Sequence, residues 1–307
     1  MKDICCIGHL TRDKIITPES TVYMAGGTSF YFANALASLP RDISFQLVTK
    51  VGPESLDEIG KLRQKDLDVL CFDSRHSVYF ENKYGADTNR RTQRVLAKAD
   101  PFSVDEVQSL EAKIFHLGSL LADDFSPEVV SVLHEKGLIS IDVQGYLRET
   151  FTPSPAEHGG ETDGETGVWG VRPCQWKDKE QVLAMTDILK LNEYEMQVIT
   201  DSSDPYTVAR KLSDLGVREV VLTFGNYGSL IYADGEFYEI PAYKPRRVVD
   251  ATGCGDTYSA GYLYCRSQGL SCKESGKFAA AMCTLKLEHS GPFDRSIDDV
   301  RAIVGAQ

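Results

Sequence analysis

Short apolar runs alternate with longer stretches of helical spacing along almost the whole chain. Residues 3–8 are apolar at nearly every position, as a strand covered on both faces requires, and similar runs recur at 43–48, 114–117, 138–141, 188–191 and 220–223. Helices are predicted at 28–39, capped near Thr28 or Ser29 and stopped by Pro40, and at 54–65, 126–136, 193–200, 204–215, 256–268 and 271–288. Strand and helix in strict alternation predict an α/β fold: a doubly wound, mostly parallel sheet flanked by helices. Two stretches, about 13–25 and 77–97, are extended and partly alternating instead, the second with a turn near Gly85-Ala86-Asp87. Residues 153–168, rich in Gly, Pro and acid, read as a mobile surface loop or insertion without a function of its own.

Composition narrows the partners. Lys plus Arg number 33 against 45 Asp plus Glu, a net charge of −12, which argues against a nucleic-acid or anionic-membrane surface. An anionic ligand must then be held by local dipoles, selected cations and bound metal. No apolar run reaches membrane-spanning length and the first residues do not open a signal peptide, so a cytoplasmic protein is expected. The eight cysteines lack Cys-x-x-Cys spacing and read as reduced thiols; the six histidines lack metal-ligand spacing.

The most informative segment is Asp250-Ala251-Thr252-Gly253-Cys254-Gly255-Asp256. It follows the strand-like Arg247-Val248-Val249 and precedes a helical apolar stretch. Strand, small-residue turn and helix make an anion site, because turn N–H groups and a helix N-terminus point at one place. A phosphate loop alone would avoid the carboxylate of Asp256. Beside a bound phosphate, that carboxylate suits a base that takes a proton from an attacking hydroxyl. With an ordinary aspartate pKa of about 3.9 it is a weak base, ionised at neutral pH. The N–H groups of Gly253, Cys254, Gly255 and Asp256 would surround the charge on a transferring phosphate. Cys254, at a helix N-terminus, sits where a thiol pKa is lowered, which would make it reactive; the more ordinary reading is a small residue merely replacing Ala.

This run resembles the C-terminal signature of the ribokinase (PfkB) family of carbohydrate kinases, read there as Asp-Thr-Thr-Gly-Ala-Gly-Asp; Ala251 and Cys254 depart from it conservatively. The resemblance extends over nearly the whole chain. It implies one ribokinase-like domain, 1–307, with the two extended stretches as a small β lid. Asn192-Glu193-Tyr194-Glu195 matches the family's Asn-x-x-Glu, which implies Glu195 holding Mg²⁺ through water and Asn192 near the phosphates, although Asn followed by acids is also a common helix cap. Thr223-Phe224-Gly225-Asn226-Tyr227-Gly228 resembles the family's Thr-x-Gly-x-x-Gly loop, implying that Thr223, Gly225 and Gly228, with Thr252, line the nucleotide. Residues 277–287, with Ala279, Ala280, Ala281 and Cys283, resemble the helix beside the adenine.

On the acceptor side the candidates are Asp13 and Asn34, from the resemblance, Gly26 and Gly27 before the first helix, and Arg94, which from the second lid stretch could reach over the site or simply be solvated. A carboxylate at 13 suits vicinal hydroxyls, which it accepts through both oxygens. The family also implies ATP as donor, an effect of a monovalent cation near the phosphate loop in many members, and pairing through the lids into homodimers. The expected activity is therefore ATP-dependent phosphorylation of a hydroxyl on a small sugar, cyclitol or related polyhydroxy compound. Bulky Phe30 and Tyr31 after Gly26-Gly27 lean toward the inositol-kinase-like branch. A non-catalytic sugar sensor on the same fold is the alternative, and a binding module would need no base at 256. A dinucleotide oxidoreductase and a P-loop enzyme fail, since neither the third Gly nor a Walker A lysine is present.

Overall fold

The computed structural model describes residues 1–84, 91–152 and 168–305. The predicted turn near 85–87 and all but the last residue of the 153–168 loop lie outside the described residues. The main sheet has nine strands, in the edge-to-edge order β15 (Glu236–Ile240), β14 (Ser229–Ala233), β13 (Glu219–Thr223), β12 (Ile188–Asn192), β9 (Leu138–Asp142), β8 (Ala112–Gly118), β1 (Lys2–Gly8), β4 (Phe45–Val51) and β5 (Asp68–Asp73). From β13 to β5 every pairing is parallel, and β14 and β15 add an antiparallel edge.

Helices cover both faces. α1 (Thr28–Ala37), α2 (Leu56–Gln64), α8 (Cys254–Ser267), α9 (Cys272–Leu287) and α10 (Ile297–Gly305) share one core with Ile4, Cys6, Leu47 and Ile188. α3 (Val104–Val107), α4 (Pro127–His134), α5 (Lys179–Leu183), α6 (Glu193–Thr200) and α7 (Pro205–Asp214) share the other with Cys5, Ile7, Val48 and Leu189. Neighbouring residues of β1 thus enter opposite cores. That is why the strand is apolar without alternation, and why the doubly wound expectation holds.

A second sheet of six strands has the order β10 (Arg148–Phe151), β11 (Trp169–Pro173), β7 (Arg91–Ala97), β6 (Val78–Tyr84), β2 (Thr11–Ile16) and β3 (Thr21–Gly26). It takes in both extended stretches and adds β10 and β11, which no alternation announced. Its inner face, Val78, Phe80 and Val95, packs on Leu120 and Leu121 of the main body.

Two expectations need correction. Residues 247–249 form no strand: Val248 and Val249 are exposed, and the Val249 and Asp250 N–H groups close on Leu287 O at the end of α9 instead of a ladder. The cap of α1 is Gly27, at φ 88°, and neither Thr28 nor Ser29. The β14–β15 hairpin was legible and went unread, for Asp234-Gly235 takes positive φ at both turn residues, as an Asp-Gly hairpin turn demands.

Candidate active site

The loop 250–256 meets the N-terminal end of α8 at the carboxyl ends of the parallel strands, where open α/β sheets place ligands. Gly253 caps α8 in the left-handed conformation, φ 76°, and a Cβ there would strike the Tyr31 ring at 2.2 Å. Glycine at 253 thus serves both the turn and the approach of α1. Ala251, Thr252 and Gly255 are exposed, leaving the loop open on one side. Two of its donors are already used: Cys254 N–H donates to Ala251 O (3.2 Å) and Thr252 N–H to Asp250 Oδ1 (2.9 Å). The four-donor expectation therefore shrinks to Gly253, Gly255 and Asp256.

Asp256 does not keep an ordinary carboxylate pKa. Burial of the carboxyl, then the charge of Asp142, push it up to about 7, while Lys190 and a hydrogen bond with Thr28 act the other way. The expectation of a weak, fully ionised base is corrected by this environment. Lys190, in the middle of β12, and Asp142, at the end of β9, form a buried ion pair of 2.6 Å. Burial opposes the charge of each, yet their mutual attraction prevails, lowering the Asp142 carboxyl and raising the Lys190 ammonium. Lys190 Nζ lies 3.3 Å from where a Cβ on Gly255 would be, so the ammonium stands directly under the loop. Glu195 is raised by burial and by Asp142. Lys190 and Asp142 were not identified from sequence. The signal was a charged residue within one mostly apolar strand and another just past the apolar run of a second.

Asn192 and Glu195 form a reciprocal capping box on α6. Asn192 Oδ1 accepts from Tyr194 and Glu195 N–H (2.9 and 3.1 Å), and Glu195 Oε2 accepts from Asn192 N–H (2.8 Å). The cap positions Glu195 beside Asp142 and Lys190. The Thr223–Gly228 segment is the β13–β14 turn; Thr223 Oγ1 donates to Leu191 O (3.4 Å), and Gly225 and Gly228 both take positive φ.

On the acceptor side Asp13 and Gly26 adjoin, since a Cβ on Gly26 would meet Asp13 Oδ2 at 2.4 Å. Gly27 then starts α1, whose Thr28 reaches Asp256 and whose Tyr31 lies on Gly253. The first turn of α1 therefore joins the Asp13 region to the loop. Tyr31 is buried, and its hydroxyl has no hydrogen-bond partner among the described residues.

Four residues singled out in the sequence are engaged otherwise here. Arg94 pairs with Glu81, which also takes Lys14 Nζ at 2.9 Å. In register Lys14 opposes Glu81 and Asp13 opposes Phe80, so alternation puts Arg94 on the sheet face opposite Asp13. Asn34 is directed elsewhere, its Nδ2 donating to Phe30 O (2.8 Å) and its Oδ1 accepting from Lys65 (2.5 Å). Cys254 is not activated: burial pushes its thiol up to about 11 against the pull of the Lys286 ammonium. Ala279 is no open wall, because a Cβ on Gly261 of α8 would meet its Cα at 3.2 Å; the small residues let α8 and α9 pack closely.

Comparison with known proteins bears on the family and the fold. The model of the pfkB family carbohydrate kinases matches residues 157–298. The chain is 33% identical over 203 residues to an uncharacterized sugar kinase of Archaeoglobus fulgidus, covering 65% of this chain and 73% of that one. It is 26% identical over 283 residues to a cytidine kinase of Thermococcus kodakarensis, covering 89% and 92%. Among solved structures, a pyrophosphate-dependent kinase of the ribokinase family in complex with sulfate superposes with a TM-score of 0.80 at 25% identity, covering 98% of this chain and 100% of that one. Fold, loop and relatives converge: this chain belongs to the PfkB (ribokinase) family of carbohydrate kinases and is a phosphotransferase with an alcohol group as acceptor.

Proposed function

We propose that the chain transfers a phosphoryl group from ATP to one hydroxyl of a small polyhydroxy compound, with Asp256 as the base. One observation carries this reading. A carboxyl raised to about 7 stands in the first turn of α8, among the open N–H groups of Gly253, Gly255 and Asp256 and beside the Lys190 ammonium. At neutral pH such a group is poised between its two forms, so it accepts a proton more readily than an ordinary aspartate. The acceptor binds between Asp13 and the loop. Asp13 takes two of its hydroxyls, and the Tyr31 hydroxyl finds there the partner it lacks among the described residues. Gly253, Gly255 and Asp256 N–H groups stabilise charge on the transferring phosphate, each worth roughly 2.7–4 kcal/mol of barrier, and Lys190 adds fixed positive charge behind them.

Residues near the loop fit a hydrated divalent cation. Glu195 and Asp256 are both raised by burial and by Asp142, so negative charge there is under-compensated. No group of three metal-ligating side chains is found among the described residues, which suits a cation that keeps most of its waters. Glu195, whose Oε2 serves the cap, would hold Mg²⁺ through water. A divalent cation held there would supply positive charge beside the donor phosphates. Eight free cysteines suit a cytoplasmic setting.

The test is donor consumption with ATP or pyrophosphate across ribose, hexoses, nucleosides including cytidine, and myo-inositol, with Asp256→Asn in parallel. We expect ATP-dependent turnover with one acceptor class, abolished in Asp256→Asn. Equal turnover by the two proteins overturns the role of Asp256. Turnover with pyrophosphate alone overturns the choice of donor, and ligand binding without turnover would favour the sensor.

A further inference from the structure

Lys286 occupies the last turn of α9 and is wholly buried, 0% exposed, although lysine almost never is. Its ammonium does not turn back on the carbonyls of its own helix. It donates to Asp250 O at 3.0 Å and lies 3.5 Å from Asp250 Oδ2, at the first residue of the phosphate loop. The same residue is fixed from two other sides: its Oδ1 accepts from Thr252 N–H, and the N–H groups of Val249 and Asp250 close on Leu287 O. Loop residues 251, 252 and 255 are exposed while Lys286 is not, so the ammonium lies on the buried side of the loop and the donor on the open side. Burying a charge is expensive, and an apolar side chain of equal volume would avoid that cost. Asp250 is the acidic side chain that pairs with it.

A main-chain carbonyl and a carboxylate oxygen converging on one point are the hard-oxygen ligands that a simple cation takes. Here Lys Nζ fills that point. The monovalent cation implied by the family resemblance therefore does not fit at Asp250, because the oxygens that would receive it are taken by the chain's own ammonium. We propose that Lys286 is a built-in monovalent cation. It is a positioning residue that locks Asp250 and the loop and supplies their positive charge, so that the kinase needs no added potassium. The rate arm of its test rests on the functional reading above; the thermal arm does not.

Wild-type protein and Lys286→Met are compared in potassium chloride and in tetramethylammonium chloride at equal ionic strength, Mg²⁺ present in both. Turnover and thermal midpoint are read for each. For the wild type we expect both to be indifferent to the swap, with rates agreeing within about twofold. For Lys286→Met we expect at least about a tenfold loss of turnover in tetramethylammonium, recovered in large part by potassium, and a midpoint raised by potassium because the ion binds only the folded loop. A merely structural lysine would give loss without rescue. Wild type strongly activated by potassium, or a folded Lys286→Met whose rate and midpoint ignore it, overturns the proposal. If Lys286→Met does not fold, Lys286→Gln, which keeps a neutral donor for Asp250 O, replaces it. Should the wild type turn over no acceptor at all, the functional reading fails, and the midpoints still decide the cation.

Discussion

The phosphate-loop end and the acceptor end of the site are assembled by different means. At the loop end, consecutive residues from Asp250 to Asp256 form the turn, the cap and the first helical turn, and their spacing alone brings the N–H groups and the carboxyl together. At the acceptor end, Asp13 comes from β2, Gly26 from β3 and Tyr31 from α1, and their meeting depends on strand register and on which sheet face each residue takes. A contiguous motif carries its geometry with it. A dispersed one has to be placed by the rest of the fold, and a shift of one residue moves a side chain to the other face.

The largest effect that would break this comparison is at Asp256. Replacing it by Asn should lower kcat by about 10²–10⁴ and leave the fold intact, as steady-state kinetics and circular dichroism would show. Stability should rise, not fall. The carboxyl goes from 3.8 when unfolded to about 7 in the fold, so between those values the folded chain holds the extra proton. Its contribution to stability is therefore largest below pH 3.8 and is lost as pH rises through about 7. Asp256→Asn should accordingly melt above the wild type at pH 8, and a lower melting point there would contradict the burial of that charge.

Next is Asp13. Asp13→Asn should raise KM for the acceptor and lower kcat/KM by about 10²-fold, with little change in KM for the donor. An equal effect on both would dissolve the division into two ends. Lys190→Met tests what underlies the loop. Leaving Asp142 buried without its partner should cost about 3–5 kcal/mol in urea unfolding, and loss of the positive charge should move the Asp256 titration to higher pH. The smallest effect is expected at Arg94, on the outer face of the second sheet. Arg94→Ala should leave KM for the acceptor within about twofold and cost no more than about 1 kcal/mol of stability. A tenfold rise in KM would place Arg94 over the acceptor after all.

The same contrast explains what could be read beforehand. Apolar runs gave the main sheet and its helices, because a strand buried on both faces has a composition that no loop shares. The capping pair Asn192 and Glu195 was equally local. Arg94 was misplaced because its face follows from the pairing of Lys14 with Glu81, which lie far apart in the chain. For Cys254 the sequence left two readings, because a helix terminus is visible in it whereas the packing that buries the sulfur is not. Lys190 and Asp142 escaped notice because each is a lone charge in an apolar strand, and only the parallel pairing of β9 with β12 makes them a pair.

The central claim is that Asp256, held near neutrality by burial and by Asp142, takes the acceptor's proton. The most direct measurement is the pH dependence of kcat/KM, which reports the groups of the free enzyme. An acid limb with its midpoint near 7, displaced to lower pH in Asp142→Asn, is the predicted result. A rate already level from pH 5 upward, in both proteins, would contradict it.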